Sequence, residues 1–324
     1  MSVLVRAALT AASLSAAIVC AVAPAAAADE WPSRPIRFIV SQGAGGAPDI
    51  LCRLITDRIS RKLGQQIVVE NKPGGGNVIG ANAAAQAAPD GYTFFFATAA
   101  ALVTNAYTFK SLPYDPVKSF TAVGMVGMNP FILVVHPGVP AKTLPEFIAL
   151  AKAEPSKISV ATDGQRNFSG MLTAWIGKLG GVDLLQVPYA GMPQGVQDTL
   201  GGRVQGAMIA IAVAAPHLAS GALRALAVSS LKRAPAQENI PAIAETFAGF
   251  DFIGWFVVVA PAGTPADIVA RMNKELDVAL KDPEIVKRMN DAGVYSDGAE
   301  TPAYIASQYD AWGKAVKEIG LQAE

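Results

Sequence analysis

The sequence predicts an α/β fold of two lobes crossed by two strands. Three observations carry that expectation. A glycine loop stands twice between a β-rich run and a helix, in "IVSQGAGGAPDI" from Ile39 and in "ENKPGGGNVIG" from Glu70. The strand–helix alternation starts afresh at Phe131 with no linker composition before it. A long apolar run, "DFIGWFVVVAP" (251–261), then returns and is followed by helices. Strand–loop–helix–strand at this spacing is a βαβαβ unit with a parallel sheet.

Taken in order, "IRFIVS" (36–41) reads as the first strand. A helix follows from about Pro48, since Pro suits the first helical turn and Asp49 suits the positive end of the macrodipole. Leu51, Ile55, Ile59 and Leu63 fall at i+4 steps with Ile50 and Leu54 beside them, one buried stripe ended by Gly64. "QIVVEN" (66–71) is a strand, "KPGGGNVIGANAAAQA" a loop and an Ala-rich helix, and "YTFFFAT" (92–98) a third strand. In the second series, "FILVVHP" (131–137) is a strand and "TLPEFIALAKAEP" (143–155) a helix opened by Thr143, with Pro145 and Glu146 in its first turn. "KISVAT" (157–162), "DLLQVPY" (183–189), "VQGAMIAIA" (204–212) and "LRALAVSS" (223–230) read as strands. "SGMLTAWIGKLGG" (169–181) and "GMPQGVQDTLGG" read as helices, and "VAAPHLASG" as a helical turn. After Thr264 the tail reads as two helices, "ADIVARMNKELDVALKD" and "PAYIASQYDAWGKAVKEIG". The expected lobes are 29–129 plus 250–324, and 130–249, with crossings near Asn129 to Phe131 and Phe250 to Gly254.

Residues 1–28 stand apart. Arg6, an apolar run and small residues ending Ala-Ala-Ala-Asp describe a secretory signal peptide cut after Ala28. The run is shorter than the ~20 residues of a membrane span. Val19 before Cys20 argues against lipidation, so the expected mature chain is periplasmic and begins at Asp29. It is long for one core. Lys+Arg and Asp+Glu both number 26, which leaves no basic footprint for nucleic acid. Charged residues are 16%, low against the usual ~25%, so the surface is expected to be Ala- and Gly-rich. Cys52, the one cysteine left after processing, falls on the apolar side of the first helix and is expected to be a buried thiol.

The chemistry narrows by class. Gly43-x-Gly45 follows a strand, but Pro48 stands where the third glycine of a dinucleotide fingerprint belongs, "GGGNVIG" is also off pattern, and no P-loop is present. There is no G-x-S-x-G elbow. His136 precedes Pro137 as a turn residue, and His217 sits in "APHLASG", so the two histidines form neither a triad nor a metal set. No enzyme activity, cofactor or metal is expected. Two functions remain for the glycines: tight turns, or anion capture by main-chain N–H groups and helix N-termini. Four or five charge-assisted bonds, less the costs of association and closure, leave about −8 kcal/mol, a micromolar affinity.

From Trp31 to Glu324 the chain resembles the Bug or TctC-type extracytoplasmic solute receptors of tripartite tricarboxylate transporters. The resemblance rests on "WPSRPIRFIV", "GQQIVVENKPGGGNVIGANAAAQAAPDGYT", "LPYDPVKSF", "VPYAG", "LGGRVQ", "LRALAVSS", "FVVVAPAGTPADIVARMNKEL" and "WGKAVKEIG", in this order. It implies a two-lobed type 2 periplasmic-binding-protein (Venus-flytrap) fold that closes on a small organic carboxylate. It also implies delivery to a two-subunit membrane permease, by a monomer that does not itself span the membrane. The alternative is an orphan ligand-sensing protein that acts with a signalling partner.

Carried over by position, the ligand-binding residues are Gly43, Ala44, Gly45, Gly46 and Ala47 in the first loop, and Gly75, Gly76 and Asn77 in the second, which opens at Gly74. Thr98 and Ala99 follow the third strand. Thr162, Asp163, Arg166, Phe168 and Ser169 come from the second lobe. Tyr189, Ala190 and Gly191, leading to Met192, form the far wall, and Ala210 stands where the family often has Asp. The chain also departs from the family in its first loop, where Ser41-Gln42-Gly43-Ala44-Gly45-Gly46 replaces Pro-Phe-Pro-Pro-Gly-Gly. Arg166 stands where Gly is common, and Gly170 where His is common. Loss of the Asp removes a partner for an α-ammonium group and Arg166 favours a second acidic group, so a dicarboxylate or an aromatic acid is the expected ligand. Arg166 has two readings, a grip on a distal carboxylate or a surface residue paired with Asp163.

Overall fold

The structure, a computed structural model, describes residues 31–189, 192–235, 237–296 and 301–323. The expected signal peptide and its cleavage point lie outside the described residues. The chain divides into a short unit ending at Ser33, of which 31–33 are described, and a body from Arg34 that carries all the described secondary structure.

The first half of the body builds a sheet from its glycine-loop units. Strand β1 (Ile36–Val40) leads to helix α1 (Ala47–Leu63), which starts with Pro48 in its first turn and ends at Gly64 in a left-handed conformation, φ 68°. Leu51, Ile55 and Ile59 are buried along one stripe, with Cys52 beside them. Strand β2 (Ile67–Asn71) is followed by a tight turn and helix α2 (Val78–Ala85). Strand β3 (Thr93–Thr98), buried throughout, runs into a helical stretch that is π-type over Ala100–Thr104 and continues as α3 (Asn105–Thr108). Strand β4 (Phe120–Asn129) completes this half.

Only Pro130 separates β4 from strand β5 (Phe131–Val135). Helix α4 (Leu144–Ala153) is capped by Thr143 Oγ1, which accepts the Glu146 amide. Then come strand β6 (Ser159–Thr162), helix α5 (Phe168–Gly180), strand β7 (Leu185–Pro188), helix α6 (Met192–Leu200), strand β8 (Gly206–Ala210), helix α7 (Ile211–Ala219) and strand β9 (Arg224–Val228). Strand β10 (Gly254–Pro261) returns to the first sheet.

The tail carries three described helices, not the two expected: α8 (Ala266–Leu280), α9 (Pro283–Asp291) and α10 (Thr301–Ile319). Asp282 restarts the helix after α8 by accepting the Glu284 amide, with Pro283 at the favoured first position. The expected strand over 204–212 also stops at Ala210, where α7 begins.

Two five-stranded sheets result, in the orders β2-β1-β3-β10-β4 and β7-β6-β8-β5-β9. In the first, β1, β2 and β3 are mutually parallel and β10 is antiparallel to β3 and β4. In the second, β6 is parallel to β7 and β8, while β5 runs antiparallel to β8 and β9. The chain passes between the sheets after β4 and again before β10, and the two passages are neighbours, since Asn129 pairs with Gly254. A cluster of rings sits behind these passages: Phe131 to Phe168 at 5.0 Å, Phe168 to Trp312 at 5.2 Å and Trp312 to Phe252 at 4.8 Å between centroids. It packs α10 against α5.

Candidate ligand-binding cleft

Because β1, β2 and β3 are parallel, the helices that follow them all begin at one edge of the first sheet. Ligands in open α/β sheets bind at that edge, outside the carboxyl ends of the strands. A cleft of about 480 Å³ lies there, closed on the other side by the 163–168 loop of the second sheet.

The local sequence explains each wall. Gly74, Gly75, Gly76 and Asn77 take four successive positive φ values of 120°, 55°, 60° and 79°. Such a run is open to glycine, and Asn is the residue with a side chain that best tolerates its end. Asn77 is then locked, because its Oδ1 accepts from Ser41 Oγ (3.1 Å) and from Gln42 Nε2. Behind it α2 lies against β1 so closely that a Cβ on Gly80 would stand 2.7 Å from Ser41 Cβ. Asn105 Nδ2 donates to the Gly76 carbonyl at 2.8 Å and ties the same turn to the third helix start.

The first glycine loop is braced from below by Asp49. Its carboxylate accepts from the Gly45 amide (2.9 Å), Arg53 Nε (3.0 Å) and Asn71 Nδ2 (2.9 Å). Burial pushes its carboxyl up, but these bonds outweigh burial and hold it below its usual range. Gly43, Ala47 and Gly76 line the cleft, and their N–H groups have no acceptor among the described residues. They are the kind of donors an anion takes at helix starts.

The expected site residues divide by place. Gly43, Ala47, Gly76, Asn77, Thr98, Ala99, Asp163, Arg166 and Phe168 line the cleft. Ala44, Gly45, Gly46 and Gly75 belong to the same two loops but are exposed beside the lining, with Gly45 donating to Asp49. Thr162 and Ser169 are fully buried beneath the 163–168 loop. Tyr189 points its hydroxyl away, donating to Asp198 Oδ2 at 2.8 Å, and Ala210 pairs with Phe131 at the end of β8. Neither lines the cleft. Ala190 and Gly191 lie outside the described residues. Arg166 donates Nε and Nη2 to the Gln322 carbonyl, at 3.4 and 3.3 Å.

The lining also includes Ser41, Gln42, Thr104, Asn105, Asn129, Asn167, Phe131, Trp255 and Phe256. Among the lining residues described, Asp163 is the only carboxylate and Arg166 the only cation. No group of three or more His, Cys, Asp or Glu among the described residues is placed to hold a metal. No described helix is long and apolar enough to cross a membrane.

Comparison with known proteins agrees with this architecture. Residues 51–321 match the family described as "Tripartite tricarboxylate transporter family receptor". The solved structure of the periplasmic binding protein BugD is 30% identical, with a TM-score of 0.77, covering 91% of this chain and 100% of that one. R. palustris Rpa4515, solved with adipate, is 29% identical with a TM-score of 0.80, over 91% and 100% of the two chains. MatC from Rhodopseudomonas palustris, solved with bound malate, is 29% identical with a TM-score of 0.75, over 88% and 99%. The fold is thus that of the periplasmic binding proteins, and the family's members are receptors rather than enzymes. Two mixed sheets, a cleft at three helix starts of which two carry glycine loops, and a match over most of the chain identify it as a member of the tripartite tricarboxylate transporter receptor family.

Proposed function

We propose that this receptor captures a small organic carboxylate between its two lobes and delivers it to a two-subunit permease in the membrane. The observation that carries the reading is the convergence of three helix starts on one cleft lined by Gly43, Ala47 and Gly76, whose amides have no acceptor among the described residues. Charge-assisted bonds from such groups are worth about 1.5–3 kcal/mol each, enough to hold a carboxylate without a cationic side chain. The bound adipate and malate of the two similar structures support the ligand chemistry. The family description supports the transporter partner. The cleft volume suits a small acid, and the rings of Phe131, Phe168 and Phe256 offer an apolar wall for its body, as an aromatic acid or a longer aliphatic chain requires.

The moving parts are the lobes 29–129 plus 250–324 and 130–249, with the paired passages at Asn129 and Gly254 as the hinge. A ligand that touches both lobes favours the closed state only by contacts absent from the open one. The mature receptor, freed of residues 1–28, acts in the periplasm as a monomer. A thermal-shift screen of organic acids tests the ligand class: an acid at 100 times its dissociation constant adds about 2.7 kcal/mol of stability. If no acid raises the melting temperature, the carboxylate reading fails.

A further inference from the structure

The second lobe meets the cleft through the loop 163–167, which lies on the first turn of α5. It lies so low that a Cβ on Gly170 would come 2.0 Å from the Gly164 carbonyl oxygen and 2.8 Å from Gln165 Cα, so the loop's position requires glycine at 170. The loop is also closed on itself. The Asn167 amide donates to the Gly164 carbonyl at 3.0 Å, and Asn167 Nδ2 donates to the Asp163 carbonyl. Asp163 is thereby carried to the start of α5. The Ser169 hydroxyl donates to Asp163 Oδ1, and the Asp163 amide donates to Ser169 Oγ at 2.8 Å. Asn167, the residue at the cap position, makes no side-chain cap bond. Burial pushes the Asp163 carboxyl above its usual range, against the pull of Ser169 Oγ and the backbone amides of Asp163, Ser169 and Gly170.

A helix start that faces a ligand favours an anion there. On this side of the cleft the chain has already supplied one. We propose that Asp163 fills the anion position of the second lobe from within, so that the cleft takes a monocarboxylate: its carboxylate sits on the first sheet's loops, and its far end, carrying no negative charge, lies against Asp163 and the Phe131–Phe168 pair. The inference rests on the carboxylate reading above and sharpens it. Arg166, the cation on the same wall, directs two of its donors to the Gln322 carbonyl, at 3.4 and 3.3 Å. A dicarboxylate in the same place would set its distal group beside the Asp163 carboxylate, a like-charge contact that receptors use to reject a ligand.

The test compares matched acids by titration calorimetry and thermal shift: butyrate with succinate, hexanoate with adipate, and benzoate with terephthalate. In the wild type, the monoacid of at least one pair binds about tenfold or more tighter than its diacid. Asp163→Asn keeps the shape and removes the charge, and it narrows that ratio by about tenfold. Gly170→Ala, which forces the loop off α5, shifts the ratio in the same direction, with circular dichroism confirming that the variant is folded. Diacids that bind the wild type as tightly as their monoacid partners overturn the proposal, as does an unchanged ratio in Asp163→Asn. Binding of none of the six acids by the wild type defeats the carboxylate reading itself, and this inference with it.

Discussion

Asn77 ends the left-handed run at φ 79° and ψ −5° and carries the acceptor that locks the second glycine loop to the first. Two substitutions separate these roles. Both Asn77→Ala and Asn77→Gly remove the bonds from Ser41 Oγ and Gln42 Nε2, a loss of about 1 kcal/mol each and ~2 kcal/mol together. Alanine further holds a Cβ in the left-handed region, at about 1–2 kcal/mol. Glycine is at ease there but frees the unfolded chain, at about 0.4–1 kcal/mol. Asn77→Ala is therefore expected to lower stability by about 3–4 kcal/mol and Asn77→Gly by about 2.5–3 kcal/mol. Urea denaturation of the three proteins, compared at equal slopes, measures both differences. An Ala variant within about 0.5 kcal/mol of the wild type would mean that the lock contributes nothing. A Gly variant less stable than the Ala variant would refute the backbone argument.

Three further outcomes are expected. Gly76→Val places a branched side chain at φ +60° where a Cβ already meets Phe109 Cζ at 3.3 Å, beside an amide that lines the cleft; acid affinity measured by calorimetry should fall about tenfold or more, and normal binding would show the loop to be a turn only. The Arg233 guanidinium, bonded through two nitrogens, holds the Glu245 carboxyl at about 2, below its usual 4.5. Its stabilising effect is present above pH 4.5 and is lost as pH falls toward 2, so Glu245→Gln should be less stable than wild type at neutral pH and converge with it in acid; a constant gap across that range would contradict the assignment. Burial pushes the Cys52 thiol far above its usual range, so a thiol reagent should leave the native protein unmodified and label it only on unfolding, and stoichiometric labelling of native protein would place Cys52 elsewhere.

Features marked by local chemistry were legible in the sequence. Pro48 with Gly64 marked α1, and Thr143 with Glu146 marked α4, because caps and first-turn residues act within one turn of chain. The two glycine loops were legible as the segments that precede helix starts for the same reason. Strand β4 escaped because Gly124 and Gly127 break its pattern. Both are needed for close approach: a Cβ on Gly124 would meet Leu276 Cδ2 of α8 at 3.0 Å, and one on Gly127 would meet Val294 Cγ1 at 2.8 Å. The end of β8 was hidden in the unbroken apolar run "AMIAIAVAA", which holds no punctuation at Ala210. The setting of Arg166 was not legible at all, since its partner Gln322 is 156 residues away. Nor was the fold of the 163–167 loop, which depends on the absence of a Cβ at Gly170.

The strand order of the first sheet has a consequence for how the chain acquires its shape. Strand β10 lies between β3 and β4, so a polypeptide that ends before Gly254 has two strands with facing, unpaired edges and a gap between them. All residues of the second sheet must emerge before the gap can be filled. Contacts so distant in sequence raise contact order and slow folding.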